Sequence, residues 1–259
     1  MSDINEIKLV DVKNNSNIIN NLNSIYKLWG YEEVSPSFIN TLETIKGHGV
    51  IDEKQVVGIV SNNSLCLRPE MTTSIVKLSS TRLINKKRPI RLFTNGMVFD
   101  KKQNNKNSFK LQEKLQSGIE LIGYDTKYPE IEVINILFDS IDNINLKDGC
   151  NLFLLVSTTK IMDLILNKYK NNNFEEIKKS LVNFDQDHLS KLGIDEDDKY
   201  ILKDLLFTRG EPIAILKKLK SIYGTSKILD DLNFYLKHYQ KYQINMVLNY
   251  NLIPLFNLT

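Results

Sequence analysis

The chain has 259 residues, of which 42% are hydrophobic and 25% are charged, a size that fits one large domain or one domain with a smaller appendage. The 34 basic and 31 acidic side chains leave a net charge of +3. Because the charges nearly balance, the net charge does not predict nucleic-acid binding. The sequence does not open with a basic region followed by an apolar core, and it contains no run of 18 apolar residues. We therefore expect no signal peptide, no membrane span and a cytoplasmic location.

Few side chains in the sequence suit a metal or a cofactor. Cys66 and Cys150 are far apart and have no Cys/His cluster beside them, which predicts two reduced thiols rather than a zinc site. The histidines, His48, His188 and His238, are scattered and lack an obvious nucleophile partner. The sequence also contains no phosphate-binding loop with a lysine, no G-x-S-x-G and no G-x-G-x-x-G, so it predicts no metal and no cofactor.

The N-terminal part of the chain predicts one helix followed by short elements. Residues 1–15 are polar and are expected to be loosely ordered, whereas apolar side chains from Ile18 to Trp29 recur at helical spacing. Gly30 follows at the position that a helix C-cap prefers. The segment EEVSPSFINTLETI then predicts a short strand, a break at Pro36 and a short helix or turn.

Two strands in the middle of the sequence have the clearest pattern. SLCLRPE predicts a short strand and MTTSIVKLSSTRLI a helix, and PIRLFTNGMVF, rich in aromatic and branched residues, then predicts a long strand. A polar stretch, KKQNNKNS, reads as a surface loop before a second strand, KLQSGIELIGY, so the pair is expected to form a hairpin in an antiparallel sheet. Gly96 inside the first strand indicates a bulge or the close approach of another group.

The rest of the chain predicts a helix, a strand and a helical block. PEIEVINILFDSIDNI has the spacing of an amphipathic helix with Pro129 at its start, and NLFLLVS predicts a buried strand. Residues 159–240 predict several helices without strands between them, and INMVLNY returns to strand character. The sequence therefore predicts an α+β fold in three parts: a core over 1–158, a helical insertion over 159–240 and a returning strand of the core over 241–259.

Two groups of side chains are candidates for binding chemistry. Glu70 and Thr72 could accept hydrogen bonds from an amino group, although Arg68 and Glu70 could instead form a structural ion pair at the end of a strand. Gln116 and Glu120 lie on one face of a strand, with an open backbone at the glycine between them, although the same face could simply be solvated. The residues alone leave both alternatives open.

Three motifs, LRPEMT, RPIRLFTNGMVFD and LQSGIELIG, follow one another in this order. Together they resemble the catalytic domain of the class II histidyl-tRNA synthetases, whose sequences contain LRPEGT, then motif 2, P-x-R-x-x-x-x-G-x-x-F-R, then Q-x-G-x-E-x-x-G. The match covers residues 16–160 well and implies a class II synthetase-like antiparallel sheet flanked by helices, with a helical insertion. The resemblance also implies that the amino group and side chain of a bound histidine are held by Glu70, Thr72, Gln116 and Glu120.

The chain departs from the synthetase pattern at two places. Motif 2 of that family ends in an arginine that grips the ATP phosphate and the amino-acid carboxylate, and this chain has Asp100 there. A carboxylate beside phosphates repels them, at a cost of about 1–4 kcal/mol at modest screening, so the departure argues against adenylate formation. In that family the sequence continues with motif 3 and an anticodon-binding domain. Neither is found in the 259 residues of this sequence, so we expect the C-terminal remainder of the core to be absent.

GIELIG and RPEMTTSIVKLSSTRL are similar to the stretches GVELLG and RPELTASIARAAVTRM of a synthetase-related family, the regulatory subunits of ATP phosphoribosyltransferase. This resemblance implies a non-catalytic protein of the first step of histidine biosynthesis, which associates with a short catalytic subunit, activates it and takes part in feedback inhibition by histidine. It also implies dimerisation around the first helix and YEEVSPSF, and no binding of tRNA. The alternative is a divergent or truncated histidyl-tRNA synthetase, which would need an arginine at position 100, motif 3 and a tRNA-binding domain.

Overall fold

The computed structural model describes residues 9–46, 55–61, 63–103, 109–124, 126–144, 154–156, 159–169, 173–239 and 244–247. These residues form α-helices and three β-sheets of three strands each, in agreement with the predicted α+β class. The chain divides into two compact units, Met1–Asp148 and Gly149–Thr259. The predicted domain boundaries after residues 158 and 240 stay predictions.

The first unit contains short strands, one long pair of strands and the helices that cover them. In chain order its elements are α1 (Leu9–Leu28), β1 (Glu32–Glu33), β2 (Ile39–Thr41), α2 (Leu42–Lys46), β3 (Gly58–Ile59), β4 (Leu65–Leu67), α3 (Thr72–Ser80), β5 (Ile90–Gln103), β6 (Phe109–Ile122) and α4 (Pro129–Asn143). β5 and β6 pair along their whole length as an antiparallel ribbon, and β1 lies parallel to β5 at its other edge. β2, β4 and β3 form a separate antiparallel sheet. The predicted hairpin is therefore confirmed.

The β5–β6 ribbon extends further than the sequence predicts. β5 continues to Gln103 and β6 begins at Phe109, although polar composition predicts a loop over 101–108. Strand pairing explains the difference, because Lys101 lies opposite Leu111 and the two strands satisfy one another's backbone hydrogen-bonding groups. Polar side chains are tolerated here because the outer part of the ribbon is largely exposed.

The two faces of the ribbon are covered by different helices. Alternate residues of a strand point to opposite faces, and directly opposed residues of paired strands share a face. One face, which we call the α1 face, packs against α1 and α4 through a buried cluster: Leu22, Ile25, Tyr26, Tyr31, Phe93, Leu121 and Ile136. The other, which we call the α3 face, packs against α3 through a second buried cluster: Met71, Ile75, Ile90, Leu92 and Val98.

α1 begins earlier than the sequence predicts. Loose order is expected for residues 1–15, but the helix starts at Leu9. Leu9 is 90% exposed, so burial does not explain the additional turns. The segment Leu9–Leu28 contains neither glycine nor proline, so each added residue gains a helical hydrogen bond without a large conformational penalty. Packing then fixes the C-terminal end, where Trp29 Nε1 donates to Asp139 Oδ2 at 2.8 Å.

The second unit is mainly helical. In chain order its elements are β7 (Leu154–Val156), α5 (Thr159–Leu166), α6 (Phe174–Asn183), α7 (Gln186–Lys191), α8 (Glu196–Leu206), β8 (Arg209–Gly210), α9 (Pro212–Tyr223), α10 (Lys227–His238) and β9 (Ile244–Val247). The helices α5 to α10 confirm the predicted helical block. The expectation that no strand lies within it is wrong, because β8 pairs with β9, which also pairs with β7. A strand of two residues has no periodicity by which a sequence could reveal it.

A partly buried ion pair joins the α1 face to α4. Arg91 Nε and Nη2 donate to the two carboxylate oxygens of Glu132, each at 2.8 Å. Tyr31 also donates to Glu132, at 3.0 Å, and Arg91 donates to the Tyr124 hydroxyl at 2.8 Å. Burial by itself raises the pKa of Glu132, but the hydrogen bonds from Arg91 and Tyr31 outweigh it and hold the pKa below its usual value.

Glu132→Gln is expected to lower the free energy of unfolding at pH 7 by about 1–2 kcal/mol, because charge-assisted hydrogen bonds from Arg91 are lost. A carboxyl whose pKa is lowered by folding stabilises the protein above its ordinary pKa of 4.5, and this contribution disappears as the pH falls through the lowered value. Urea unfolding at pH 7 and at about pH 3 measures the effect, with the exposed acid variant Glu113→Gln as the control. A difference of the same size at both pH values would contradict this role of the carboxylate.

Candidate functional site

The candidate site lies on the α3 face of the ribbon. Gln116, Gly118 and Glu120 occupy every second position of β6, so they share this face. Thr94 of β5 lies directly opposite Gly118, and Gly96 lies opposite Gln116. A Cβ atom at Gly118 would meet no other atom within 4 Å, so the backbone at this point is accessible to a small ligand.

The start of α3 brings two more of the predicted residues to this face. The Glu70 carboxylate accepts the backbone N–H of Thr73 through both oxygens, at 3.0 and 3.1 Å, and so caps the first turn of the helix. Thr72 is the first residue of α3, and its side chain lies close enough to the Glu120 carboxylate to lower the pKa of Glu120. The structure therefore brings Glu70, Thr72 and Glu120 together, with Gln116 four residues away from Glu120 on the same face.

Two carboxylates give the site its electrostatic character. Burial raises the pKa of Glu120 and the nearby negative charge of Glu70 raises it further, while the neighbouring side chain of Thr72 opposes both effects in part. Effects that raise the pKa of an acid disfavour its charged form, and a cation placed beside the two carboxylates relieves that penalty. The site therefore favours a positively charged ligand, whose binding would lower the pKa of Glu120.

Three buried polar atoms along this face have no hydrogen-bond partner within the described residues: Thr94 Oγ1, Asp100 Oδ1 and Gln116 Oε1. Buried polar atoms without partners destabilise a fold, and a ligand that donates hydrogen bonds would satisfy them. Thr94 is 1% exposed and lies opposite Gly118, beside the accessible backbone. Thr94 is not among the site residues predicted from the sequence, although the alternation of Leu92, Thr94 and Gly96 along β5 indicates that the three share a face.

Arg68 belongs to the framework around the site and does not pair with Glu70. Its Nη1 donates to the carbonyl of Pro36 at 2.7 Å, and its Nε donates to the carbonyl of Met97 at 2.9 Å. The side chain is 2% exposed and passes directly over Gly96. Bonds to backbone carbonyls therefore take the place of the strand-end ion pair that the sequence allowed. The close approach expected at Gly96 is confirmed.

Asp100, at which the chain departs from motif 2, forms an ion pair with Lys114 across the ribbon. Lys114 lies opposite Val98, so the pair is diagonal and sits on the α3 face, two positions beyond Gln116. The two side chains are partly exposed, at 29% for Asp100 and 54% for Lys114. A ligand lying over Gly118 would thus have on its outer side a carboxylate that is neutralised by a lysine.

Other candidate residues form no site within the described part of the chain. Among those residues no cluster of three or more His, Cys, Asp and Glu side chains could hold a metal ion, and none of their helices combines the length and apolar character of a membrane span. Cys66 is a buried free thiol, whereas Cys150 and His48 lie outside the described residues. His188 does contact a hydroxyl, 2.7 Å away at Ser180 Oγ, but Ser180 is fully buried and donates to a helix carbonyl, so it is not an accessible nucleophile.

Comparison with known sequences finds two related families. The sequence pattern of the histidyl-tRNA synthetase family matches residues 3–257. A protein named ATP phosphoribosyltransferase regulatory subunit, from Prochlorococcus marinus subsp. pastoris (strain CCMP1986 / NIES-2087 / MED4), is 68% identical over 100% of this chain and 68% of its own length. A protein of the same name from Prochlorococcus marinus (strain MIT 9211) is 36% identical over 88% of this chain and 58% of its own length.

Solved structures share the fold. A crystal structure of an ATP phosphoribosyltransferase regulatory subunit/histidyl-tRNA synthetase from Bacillus halodurans matches with a TM-score of 0.83 at 22% identity, covering 96% of this chain and 67% of that chain. A chain of the ATP phosphoribosyl transferase (HisG:HisZ) complex from Thermotoga maritima matches with a TM-score of 0.65 at 14% identity, covering 93% of this chain and 82% of that chain. At such identities the likeness concerns the fold, and it confirms the predicted class II synthetase-like architecture.

Proposed function

The chain belongs to the histidyl-tRNA synthetase family and, within it, to the ATP phosphoribosyltransferase regulatory subunits, and we propose that it is the non-catalytic regulatory subunit of that enzyme. In this function it is needed for activity and for histidine feedback in the first step of histidine biosynthesis. The chain spans 68% of the length of the first relative and 58% of the second.

The observation that carries the proposal is the 68% identity to a relative that is named as a regulatory subunit. The ion pair between Asp100 and Lys114 supports it independently, because a carboxylate stands where adenylate formation needs a phosphate-binding arginine. A divergent histidyl-tRNA synthetase, the alternative function, would need that arginine. The identity and the charge at position 100 therefore both favour the regulatory function.

The proposed partner is the catalytic subunit of ATP phosphoribosyltransferase. The first Prochlorococcus relative is named as a regulatory subunit of this enzyme, and the Thermotoga structure is named as a HisG:HisZ complex. Family membership also supports three further proposals, namely self-association as a dimer around α1 and β1, a cytoplasmic location, and no binding of tRNA.

The site on the α3 face is proposed to bind histidine as the effector. Glu70 and Glu120 would accept the ammonium and ring N–H groups, Gln116 and Thr94 would add polar contacts, and Thr72 positions the Glu120 carboxylate. Histidine offers three ammonium protons and at least one ring N–H, which suits a site rich in acceptors. Histidine bound here would inhibit the complex by binding one conformational state of it more tightly than another.

Two measurements separate the proposed function from the alternative. Mixed with the short catalytic subunit of the same organism, the chain is expected to form a hetero-oligomer in analytical ultracentrifugation. Histidine-dependent exchange of pyrophosphate into ATP is expected to stay at background, because position 100 has no arginine to bind the phosphates. Exchange above background without complex formation would establish a synthetase instead.

Gly118→Val tests whether the ligand lies over the backbone at this position. The variant is expected to fold with unchanged stability, because a Cβ there meets nothing within 4 Å and branched side chains suit strands. The added side chain would take space that the ligand needs, so the affinity for histidine is expected to fall about tenfold or more. Titration calorimetry with L-histidine measures this, with Gly58→Val at another uncrowded strand position as the control. Unchanged affinity in Gly118→Val would place the ligand elsewhere.

A further inference from the structure

We propose that Lys114 receives the carboxylate of a histidine bound on the α3 face, and that Asp100 competes with this carboxylate for Lys114. The inference rests on the proposed histidine site and adds to it the residue that recognises the acidic end of the ligand. It also assigns a function to the acid at position 100. There Asp100 would set the affinity of the site by holding Lys114 in an ion pair that the ligand has to displace.

The inner end of the site suits only the positively charged end of an amino acid. Glu70 and Glu120 lie there, and their negative charges would repel a ligand carboxylate. Arg68 is close by, but it is 2% exposed and its guanidinium already donates to two backbone carbonyls as part of the framework. The carboxylate of a bound histidine therefore has to point outward along the ribbon, past Gln116.

Lys114 is the next residue outward from Gln116 on this face. Residues two apart on one face of a strand are separated by about 7 Å, so Lys114 lies at about 7 Å from Gln116 and about 14 Å from Gly118 along β6. The flexible four-carbon stem of a lysine allows its ammonium to turn back over Gln116. A histidine lying over Gly118 with its carboxylate outward thus comes within reach of Lys114.

The present partner of Lys114 can be exchanged for a ligand. Asp100 holds the ammonium through one carboxylate oxygen, and both side chains are partly exposed. Water screens such pairs and they contribute little to stability, so replacing one carboxylate by another is a small energetic change. Lys102 and Lys110 lie opposite each other one step further out on the same face, so Asp100 would stay close to positive charge after the exchange.

The test compares L-histidine with histamine, which keeps the ring and the ammonium but has no carboxylate. In titration calorimetry on the full chain, Lys114→Met is expected to bind histidine about tenfold more weakly and to bind histamine unchanged. Asp100→Asn is expected to bind histidine about two- to fivefold more tightly, because the competing carboxylate is gone, without a gain for histamine. Lys101→Met removes a positive charge from the other face of the ribbon and is expected to change neither affinity.

Each contrary outcome has a distinct meaning. An equal loss for both ligands in Lys114→Met, or no loss for histidine, would overturn the inference. If the unmodified chain binds histamine as tightly as histidine, its site does not recognise the carboxylate, and the inference fails while the histidine site stands. If the chain binds neither compound, the proposed histidine site is wrong and the inference falls with it.

Discussion

Glu120→Gln is expected to shift half-maximal inhibition of the assembled complex to about 100-fold higher histidine concentration. Glu120 is the half-buried carboxylate that a ligand cation would neutralise, and the amide of glutamine has no charge to offer that cation. Inhibition curves measure the shift, with Glu113→Gln on the α1 face of the same strand as the matched control. Glu120→Ala is expected to behave in the same way. An inhibition curve that does not move in either Glu120 variant would exclude this residue from the histidine site.

The stability of Glu120→Gln is expected to change in the opposite direction from its affinity for histidine. Burial and the charge of Glu70 raise the pKa of Glu120, so the folded protein disfavours the charged form. No penalty exists well below the ordinary pKa of 4.5, and the penalty develops as the pH rises through the raised value. Glu120→Gln removes this penalty at pH 7, so the free energy of unfolding should rise while histidine binding is lost. Higher stability together with weaker histidine binding would identify Glu120 as a residue that serves ligand binding at the expense of stability.

Gly96→Ala is expected to lower the free energy of unfolding by about 2–3 kcal/mol. A Cβ atom at this position would lie 2.2 Å from Arg68 Nη2, far inside van der Waals contact. Arg68 has little freedom to move aside, because it is 2% exposed and donates to the carbonyls of Pro36 and Met97. Its guanidinium also packs 4.2 Å from the ring centre of Phe38. Either these contacts or the strand itself has to shift to admit the methyl group.

Gly118→Ala is the matched control for this prediction. Gly118 lies on the same face of the ribbon, in the neighbouring strand, and a Cβ there meets nothing within 4 Å. Its stability is therefore expected to equal or exceed that of the unmodified chain, because alanine restricts the unfolded state more than glycine does. Urea unfolding of both variants measures the contrast. If Gly96→Ala and Gly118→Ala were equally stable, the Arg68 side chain would be able to move aside at no energetic cost, and its framework role would be wrong.

The fold was predictable where its signal is local. Branched and aromatic residues in PIRLFTNGMVF and KLQSGIELIGY, separated by a polar stretch, indicate the β5–β6 hairpin without knowledge of the rest of the chain. Gly96 likewise signals that something approaches the strand closely. What approaches it was not predictable, because Arg68 comes from the end of β4, far away in sequence, and the contact exists only after the two sheets of the unit pack together.

The site was predictable only in part, for a related reason. Glu70, Thr72, Gln116 and Glu120 follow from motifs whose spacing is visible in the sequence. The residues that lie next to these four depend on strand register and on helix capping. The sequence of a single strand shows neither of them. Register places Thr94 opposite Gly118 and sets Lys114 diagonally from Asp100. The Glu70 carboxylate caps α3 by accepting the backbone N–H of Thr73. It therefore does not pair with Arg68, although the two residues are close in the sequence motif.

The regulatory function is tested most directly by the rate at which the short catalytic subunit condenses ATP with phosphoribosyl pyrophosphate, measured with and without this chain. We expect a marked increase in rate when the chain is added, and a loss of that increase when histidine is added as well. An unchanged rate, with both proteins folded and present at equal concentrations, would contradict the proposed function.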